Sequence, residues 1–316
     1  MLATRNIVAF ENSRTMEFVP YAFCEAVVAV FAKLSGPLNG LASPLWLRAS
    51  QTEASGRCTF SCAIGYTTLG AWTLEIFNRE THMDASLEEL CNPNRRNHRI
   101  VYIRLHHVIN PTMELKSFEE LKKSVRRIIP FVNMAHFRLD RTSGGGPSIP
   151  LEPVLEIVSL LEFSSFCELT ILNEPAIASF EDFAMERMKT KWLRSLSVRQ
   201  EPTIPISCAF HSAIEHFILE DAFRSVFVYS SAVTFTKEFV VQLIETHVNG
   251  TFLGFFNFPV EELYEFCKSS QLPAVSDAEN WRCVKWNRED GVQVCVQRWN
   301  NYISTINFKN NSALPA

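Results

Sequence analysis

The sequence predicts an α/β fold with three parts: a short N-terminal helical hairpin, a stack of helices and mostly parallel strands, and a C-terminal antiparallel segment. Three observations support this prediction. A short apolar phrase recurs five times at intervals of roughly 30 residues. Each copy follows a stretch with helical periodicity. The flanking segments carry other patterns, helical near the N-terminus and alternating near the C-terminus.

The recurring phrase consists of an apolar residue, two other residues, a second apolar residue, one other residue and a last position that is usually apolar. The copies are Met134/Phe137/Leu139, Phe166/Leu169/Ile171, Leu193/Leu196/Val198, Phe223/Val226/Val228 and Phe252/Phe255/Asn257. A helix followed by a short strand at this period is typical of a leucine-rich-repeat-like stack, whose neighbouring units bury one another's apolar faces. Such a stack offers a long binding face and no catalytic groups of its own.

The N-terminal part is predicted to contain a disordered leader, residues 1–15, and a helical segment, residues 16–51. Pro20 suits the first turn of a helix, and apolar residues follow at helical spacing as far as Leu34. A second short apolar group extends to Trp46. A helical hairpin of this size is too small to be stable alone, so we expect it to pack on the rest of the chain or on another protein.

Residues 57–110 are predicted to form strands because apolar and polar residues alternate in them. The stretches 58–64 and 72–76 indicate a hairpin that turns at Thr67-Thr68-Leu69-Gly70, and 100–105 indicates a third strand. These strands are expected to extend the sheet of the repeats.

Residues 117–270 are predicted to hold the repeats, and residues 281–308 a C-terminal β cap with a turn at Asp290-Gly291. The expected helices are 117–129, 151–162, 179–189, 208–220, 234–248 and 259–269. Ser117 with Glu120 and Ser179 with Asp182 indicate capping boxes, and Thr236 indicates another helix start. Strands separated by such helices should be parallel, with right-handed crossovers.

Composition indicates a compact protein of a reducing compartment. Hydrophobic residues make up 47% of the 316 residues, the formal net charge is −4, and nine cysteines form no Cys-x-x-Cys pair. No signal peptide or membrane-spanning run is evident, so we expect a cytoplasmic or nuclear protein without a membrane partner. The acidic balance gives no expectation of nucleic-acid binding, except through a local basic patch.

The sequence gives no candidate catalytic or metal-ligating residues and implies no cofactor. His106 and His107 are adjacent in a predicted strand, so their side chains should point to opposite faces, and we interpret them as a strand-edge pair. Residues 144–146 are a triple glycine that lacks the Lys-Ser/Thr of a phosphate-binding loop. We therefore predict that the protein is not an enzyme. An enzymatic alternative needs a deep polar pocket in which His106, His136 or His211 meets a carboxylate.

Two basic clusters are interpreted as solvated surface, with a patch for nucleic acid or an acidic partner as the alternative. They are Arg95/Arg96/His98/Arg99 and Lys122/Lys123/Arg126/Arg127. On the predicted helix, Glu119 is placed to pair with Lys123.

The N-terminal segment resembles an F-box. Its matching positions are Val19, Pro20, Phe23, Val27, Phe31, Leu34, Leu38 and Trp46. With the repeats, the chain resembles the nematode-expanded group of F-box-like proteins, which combine a degenerate F-box with a leucine-rich-repeat-like or FTH-type C-terminal region. The prolines at 37 and 44 and the few basic residues in the second half depart from the F-box pattern.

This resemblance implies a substrate receptor of a cullin–RING ubiquitin ligase. The eight matching residues would bind a Skp-type adaptor protein, and the repeats would hold a target protein near the ubiquitin-transferring subunit. No residue is assigned to target binding. The alternative is a leucine-rich-repeat-like binding or scaffold protein without a ligase role, whose N-terminal helices complete its own core.

Overall fold

The computed structural model describes most of the chain between residues 44 and 256 and parts of both ends. The described residues are 24, 27, 44–56, 58–92, 98–109, 111, 113–141, 149–172, 177–190, 192–199, 206–219, 223–229, 233–246, 250–256, 283–287, 292–299 and 303–310. They form a mixed α/β structure around one large, mostly parallel sheet with an antiparallel segment at the C-terminal side. None of the helices in these ranges has both the length and the apolar character needed to cross a bilayer.

Strands and helices alternate along the central part of the chain. The strands are β1 Cys58–Thr67, β2 Trp72–Asn78, β3 Met83–Ala85, β4 His98–Val108, β5 Val132–Asp140, β6 Phe166–Leu172, β7 Ser195–Arg199, β8 Ser225–Tyr229, β9 Thr234–Phe235, β10 Gly250–Phe256, β11 Cys283–Asn287, β12 Val292–Trp299 and β13 Ile303–Asn310. The helices are α1 Pro44–Gly56, α2 Leu87–Leu90, α3 Phe118–Ile128, α4 Leu151–Leu160, α5 Ala178–Met188, α6 Cys208–Leu219 and α7 Lys237–Thr246, with a 3-10 turn at Ile129–Phe131 after α3.

The sheet has the strand order β3-β2-β1-β4-β5-β6-β7-β8-β10-β13-β12-β11, and β9 pairs with β10 outside this path. From β1 through β4, β5, β6, β7 and β8 to β10, neighbouring strands are parallel. At one end β2 and β3 add antiparallel strands, and at the other end β13, β12 and β11 do so. Because helices connect the parallel strands, the middle of the sheet is a row of helix–strand units.

The strands before the repeats agree with the predicted hairpin and third strand. β1 and β2 pair antiparallel around a turn in which Gly70 donates its backbone N–H to the carbonyl of Thr67 and has a φ of +77°. β4 is the third strand, and it pairs in parallel with β1 and with β5. Strand β3 and the single-turn helix α2 were not predicted, because both are too short to show a hydrophobic period in the sequence.

The apolar side chains of the parallel strands form one continuous core on one face of the sheet. The middle residues of the first four phrases, Phe137, Leu169, Leu196 and Val226, pair in sequence across β5 to β8. Helix residues cover them: the ring of Phe183 in α5 lies 5.9 Å from that of Phe137. This pairing confirms the period of the first four copies and places the helices on a single face.

The predicted register of the fifth copy is wrong by three residues. Phe252, not Phe255, pairs with Val226 of β8. The third position of the phrase is then Gly254, where an added Cβ would lie 2.7 Å from Cε2 of Phe235. The Phe235 ring packs edge-to-face on Phe252 and fills the space that an apolar side chain of the strand fills in the other units. The apolar residue at this position is therefore supplied by β9.

Two of the three predicted helix starts are confirmed. Ser117 and Glu120 form a reciprocal capping box at α3, and the Thr236 hydroxyl accepts a hydrogen bond from the backbone N–H of Phe239 at α7. The predicted box at Ser179 is wrong: α5 begins at Ala178, and its N-cap residue Ile177 makes no side-chain capping bond. Ser179 lies inside the first turn, where its hydroxyl cannot cap the helix.

Glu181 of α5 instead stabilises the start of the next helix. Its side chain is almost completely buried, and one carboxylate oxygen accepts from the backbone N–H of Ser207 at 3.0 Å. The other oxygen accepts from the Ser207 hydroxyl, which in turn accepts from the backbone N–H of Phe210 at 3.1 Å. This chain of hydrogen bonds fixes the first turn of α6 against α5.

Replacing Glu181 with glutamine should lower the free energy of unfolding by about 1 kcal/mol, because a neutral amide replaces the charged acceptor of the two hydrogen bonds from Ser207. Urea unfolding followed by circular dichroism would measure the change. The control is Glu186→Gln in the same helix, whose carboxylate pairs with Lys189 at the surface and should have no measurable effect. Equal effects of the two changes would contradict the role assigned to Glu181.

The C-terminal segment contains three antiparallel strands, in agreement with the predicted cap. β13 pairs with β10, the last parallel strand, so the cap extends the open end of the row of helix–strand units. Several predicted features lie outside the described residues: the leader 1–15, the loop 142–148, the helix 259–269 and the turn at Asp290-Gly291.

Candidate functional site

The face of the sheet opposite the helices carries side chains that no further layer of described helices covers. Since side chains alternate along a strand, the positions between the buried ones lie on this open face. The paired positions in its first row are Phe77, Ser61, Tyr102, His136, Glu168, Ser195, Ser225, Thr251 and Asn307. The second row is Glu75, Ala63, Arg104, Arg138, Thr170, Ser197, Phe227, Leu253 and Thr305.

Polar side chains of neighbouring strands hydrogen-bond to one another along the first row. The Ser225 hydroxyl donates to that of Ser195 at 2.9 Å, and the Thr251 hydroxyl donates to the side-chain oxygen of Asn307 at 3.0 Å. These contacts connect β7 to β8 and β10 to β13. The first row is therefore mostly polar, and some of its side chains are held in place by hydrogen bonds across neighbouring strands.

The charged centre of the open face is an arginine–aspartate cluster on β4 and β5. Nη2 of Arg104 lies 3.6 Å from Oδ2 of Asp140, and Nη2 of Arg138 lies 3.4 Å from the same oxygen. The Asp140 side chain is only 4% exposed, whereas each arginine side chain is 34% exposed. Two guanidinium groups thus share one carboxylate, which leaves one uncompensated positive charge within the cluster.

His106 lies beside this cluster and is held neutral. Burial and the nearby charge of Arg104 lower the pKa of His106 below its ordinary value, and the charge of Asp140 only partly opposes them. Nδ1 is 3.0 Å from the carbonyl oxygen of His107, which can only accept, so the neutral ring carries its proton on Nδ1. His106 therefore adds no positive charge to the face at neutral pH.

The lowered pKa of His106 predicts a loss of stability in mild acid. The unfolded chain takes up a proton at His106 near its ordinary pKa of about 6.5, whereas the folded protein resists protonation there. The unfolded state then binds more protons, so the free energy of unfolding falls as the pH drops below about 6.5. Urea unfolding at neutral and at mildly acidic pH should show a smaller loss for His106→Gln than for the wild type. An identical pH dependence would contradict the assignment.

His136 of β5 contacts both neighbouring strands, β6 through its two ring nitrogens and β4 through its ring. Nδ1 lies 3.3 Å from Oε2 of Glu168, and Nε2 lies 2.8 Å from the hydroxyl oxygen of Thr170. The ring of Tyr102 packs edge-on against the imidazole, with centroids 5.1 Å apart. Of the three histidines that the enzymatic alternative named, His136 lies near a carboxylate on the open face, where it also packs against the Tyr102 ring.

The other histidines of interest lie apart from this network. His106 and His107 point to opposite faces, as predicted, but β4 lies between β1 and β5, so the interpretation as a strand-edge pair is wrong. His107 is buried on the helix side. Nε2 of His211 lies 3.7 Å from Oε1 of Glu215, and both residues belong to α6. The described residues contain no group of three or more side chains that could hold a metal ion.

A cavity of about 410 Å³ opens on the same face next to β2. It is lined by Ser61, Phe77, Arg79, His82 and Tyr102. Neither these residues nor the arginine–aspartate cluster were predicted as candidate site residues from the sequence. In the sequence, residues of the open face can be recognised as polar residues between two apolar ones in a strand, such as Arg138 between Phe137 and Leu139. This pattern shows which face of the sheet a residue lies on, but it does not show which residues form a site.

The predicted adaptor-binding residues are described only in part. Val27 is helical and half-buried, and Trp46 is half-buried in α1. The remaining positions, Val19, Pro20, Phe23, Phe31, Leu34 and Leu38, lie outside the described residues. Cys24, next to Phe23, is completely buried.

Two of the four basic residues of α3, Lys122 and Arg127, form ion pairs. The Glu119 carboxylate pairs with Lys122 at 2.6 Å and not with the predicted Lys123. Lys122 also pairs with Glu156 of α4, at 2.9 Å. Arg127 pairs with Glu88 at 3.3 Å. These ion pairs support the interpretation of this helix as ordinary solvated surface.

The other basic cluster is described at two of its four positions. His98 is buried, with Nδ1 2.9 Å from the carbonyl oxygen of Leu90, and Arg99 donates to the carbonyl of His98. Arg95 and Arg96 lie outside the described residues. No protein-family model matches the chain, and the search of curated proteins also gave no match.

Proposed function

We propose that this chain is a protein-interaction adaptor, the substrate receptor of a cullin–RING ubiquitin ligase of the F-box type. The row of helix–strand units is leucine-rich-repeat-like, and its open face holds a target protein. The N-terminal helices bind a Skp-type adaptor through the F-box-like residues from Val19 to Trp46. The protein acts in the cytoplasm or nucleus, and it contributes proximity to the reaction without catalysing a bond change.

The observation that carries this proposal is the open face itself. Its polar and charged side chains extend from β2 to β13 across the sheet, with the helices on the other side. An extended polar face with a few aromatic and arginine side chains has the composition of a protein-binding surface. The F-box resemblance of the N-terminal segment supports the ligase role.

One observation favours the alternative, a leucine-rich-repeat-like scaffold without a ligase role. Cys24 and Ala49 of the N-terminal region are completely buried in the isolated chain. At least these two side chains are therefore covered within the isolated chain, as the scaffold alternative requires, although neither belongs to the core of the sheet.

Co-purification with a Skp-type adaptor tests the ligase role directly. We expect the full-length protein to retain the adaptor and the double variant Pro20→Ala/Phe23→Ala to lose it by more than about tenfold, because buried anchors dominate such interfaces. The control is Phe163→Ala, an exposed position far along the repeats that should leave adaptor binding unchanged. Failure of the wild-type protein to retain any adaptor would remove the ligase role and leave the scaffold alternative.

A further inference from the structure

The cavity on the open face is bounded by aromatic side chains, a serine and the guanidinium of Arg79. Phe77 is partly exposed on β2, Tyr102 is half-buried on β4, and Ser61 of β1 lies between them in the register. Arg79 is exposed and makes no ion pair with any residue that the structure describes. The rings of Phe77 and Tyr102, the imidazole of His82 and the guanidinium of Arg79 line the same cavity of about 410 Å³, and the His82 ring centroid lies 6.3 Å from that of Phe77.

The nearest carboxylate in sequence is bound elsewhere. Both oxygens of Glu80 accept from the backbone N–H of Thr59 at 2.9 Å, and one also accepts from the Thr59 hydroxyl. Asn78 fixes the same turn, since its side-chain oxygen accepts from the backbone N–H groups of Glu80 and Thr81. The turn that carries Arg79 is thus held in place without neutralising the guanidinium, which remains available to an external anion.

The opposite charge lies on the other side of Phe77. Asp84 of β3 pairs in register with Phe77, and Glu75 lies two residues away on the same face of β2. Burial raises the pKa of Glu75, and the nearby charge of Asp84 raises it further, so the two carboxylates lie close to each other. An external cation placed beside them would relieve this repulsion. The open face of β2 therefore carries an acid, an aromatic ring and a base at alternate positions.

We propose that this cavity binds a short extended segment of a target protein that carries a basic, an aromatic and an acidic side chain at alternate positions. The aromatic side chain enters between Phe77 and Tyr102, the acidic side chain pairs with Arg79, and the basic side chain lies at Glu75 and Asp84. Alternate residues of an extended peptide point to the same side, so this spacing matches that of β2. Guanidinium groups bind carboxylates in two-point geometry, which favours a carboxylate at Arg79.

Charge favours a peptide over a nucleic acid. A phosphodiester chain carries a negative charge at every nucleotide and would be repelled by Glu75 and Asp84, which lie next to the cavity without lining it. A peptide of mixed charge that extends beyond the cavity along β2 meets these carboxylates with its basic side chain and Arg79 with its acidic one. The inference rests on the proposed function, because it assumes that the open face holds the target.

The test uses the full-length protein and an array of synthetic peptides with Lys, Tyr and Glu at alternate positions, in both orders. We expect these peptides to bind more tightly than versions with Tyr replaced by Ala. We also expect Arg79→Glu and Phe77→Ala each to weaken binding by about tenfold, as is usual for a lost charged contact or aromatic anchor. Arg126→Glu, a charge reversal on the exposed surface of α3, should leave binding unchanged.

A charge exchange makes the test specific. A peptide with its Glu replaced by Lys should bind poorly to the wild type and regain affinity for the Arg79→Glu protein. The inference is overturned if no peptide of the array binds, if binding ignores Arg79 and Phe77, or if a single-stranded oligonucleotide displaces the peptides. If binding depended on Phe227, on the open face of β8, and not on Phe77, the cavity would not be the peptide site. The proposed function would not be contradicted by that result. Adaptor co-purification reports on the ligase role separately.

Discussion

Replacing Phe137 with alanine is expected to lower the free energy of unfolding by about 3–5 kcal/mol, the cost of removing a fully buried aromatic side chain. The side chain is 1% exposed and lies in the middle of β5, between β4 and β6. Its ring centroid lies 5.5 Å from that of Phe166 and 5.9 Å from that of Phe183, so the ring connects β5 and β6 to helix α5. The cavity left behind would have rigid sheet on one side, so the core could collapse into it only partly.

Urea unfolding followed by circular dichroism would measure this loss. The matched control is Phe163→Ala, because Phe163 is 92% exposed in the turn that precedes β6 and its removal creates no cavity. We expect the control to unfold at nearly the wild-type urea concentration. If both phenylalanine variants lost the same stability, the assignment of Phe137 to a central core would be wrong.

Most of the helices and strands could be predicted because their signals are local. The helix predicted at 117–129 is α3, Phe118–Ile128, whose apolar stripe and capping box are visible in consecutive residues. The hairpin of β1 and β2 shows alternation on both sides of a glycine turn. The parallel order then follows from helices that connect successive strands.

The register of the last repeat could not be predicted because the fifth phrase depends on a residue from another strand. Phe252 and Phe255 both fit the apolar pattern, and only tertiary packing distinguishes them. The Phe235 ring occupies the space above Gly254, so this position of the strand must be glycine and cannot show the apolar residue of the other copies. A pattern search within one segment has no access to such a contact.

The same limit applies to the helix start at Ser179 and to the open face. Ser179 matches the capping pattern, but the first turn of α5 begins one residue earlier, and the local pattern cannot fix a boundary to one residue. On the open face, Arg104, Arg138 and Asp140 meet only because β4 and β5 pair in a particular register. Sequence could indicate which residues point away from the core, but not which of them touch.

Replacing Asp140 with alanine is expected to lower the free energy of unfolding by roughly 1–3 kcal/mol, the usual cost of leaving a charged group without its partner. Removing one member of a fully buried ion pair costs more, about 3–5 kcal/mol. The smaller range applies because the Arg104 and Arg138 side chains are each one-third exposed, so that water can solvate them in part. Urea unfolding at neutral pH would measure the change, and added salt should reduce it by screening the repulsion between the two guanidinium groups.

A second variant separates charge from packing. In Arg104→Met/Arg138→Met/Asp140→Ala, no charge of the cluster remains to be compensated, so we expect this triple variant to recover part of the stability lost in Asp140→Ala. If the triple variant were less stable than Asp140→Ala, unpaired charge would not be the cause of the loss, and the Arg104 and Arg138 side chains would stabilise the fold through their own contacts.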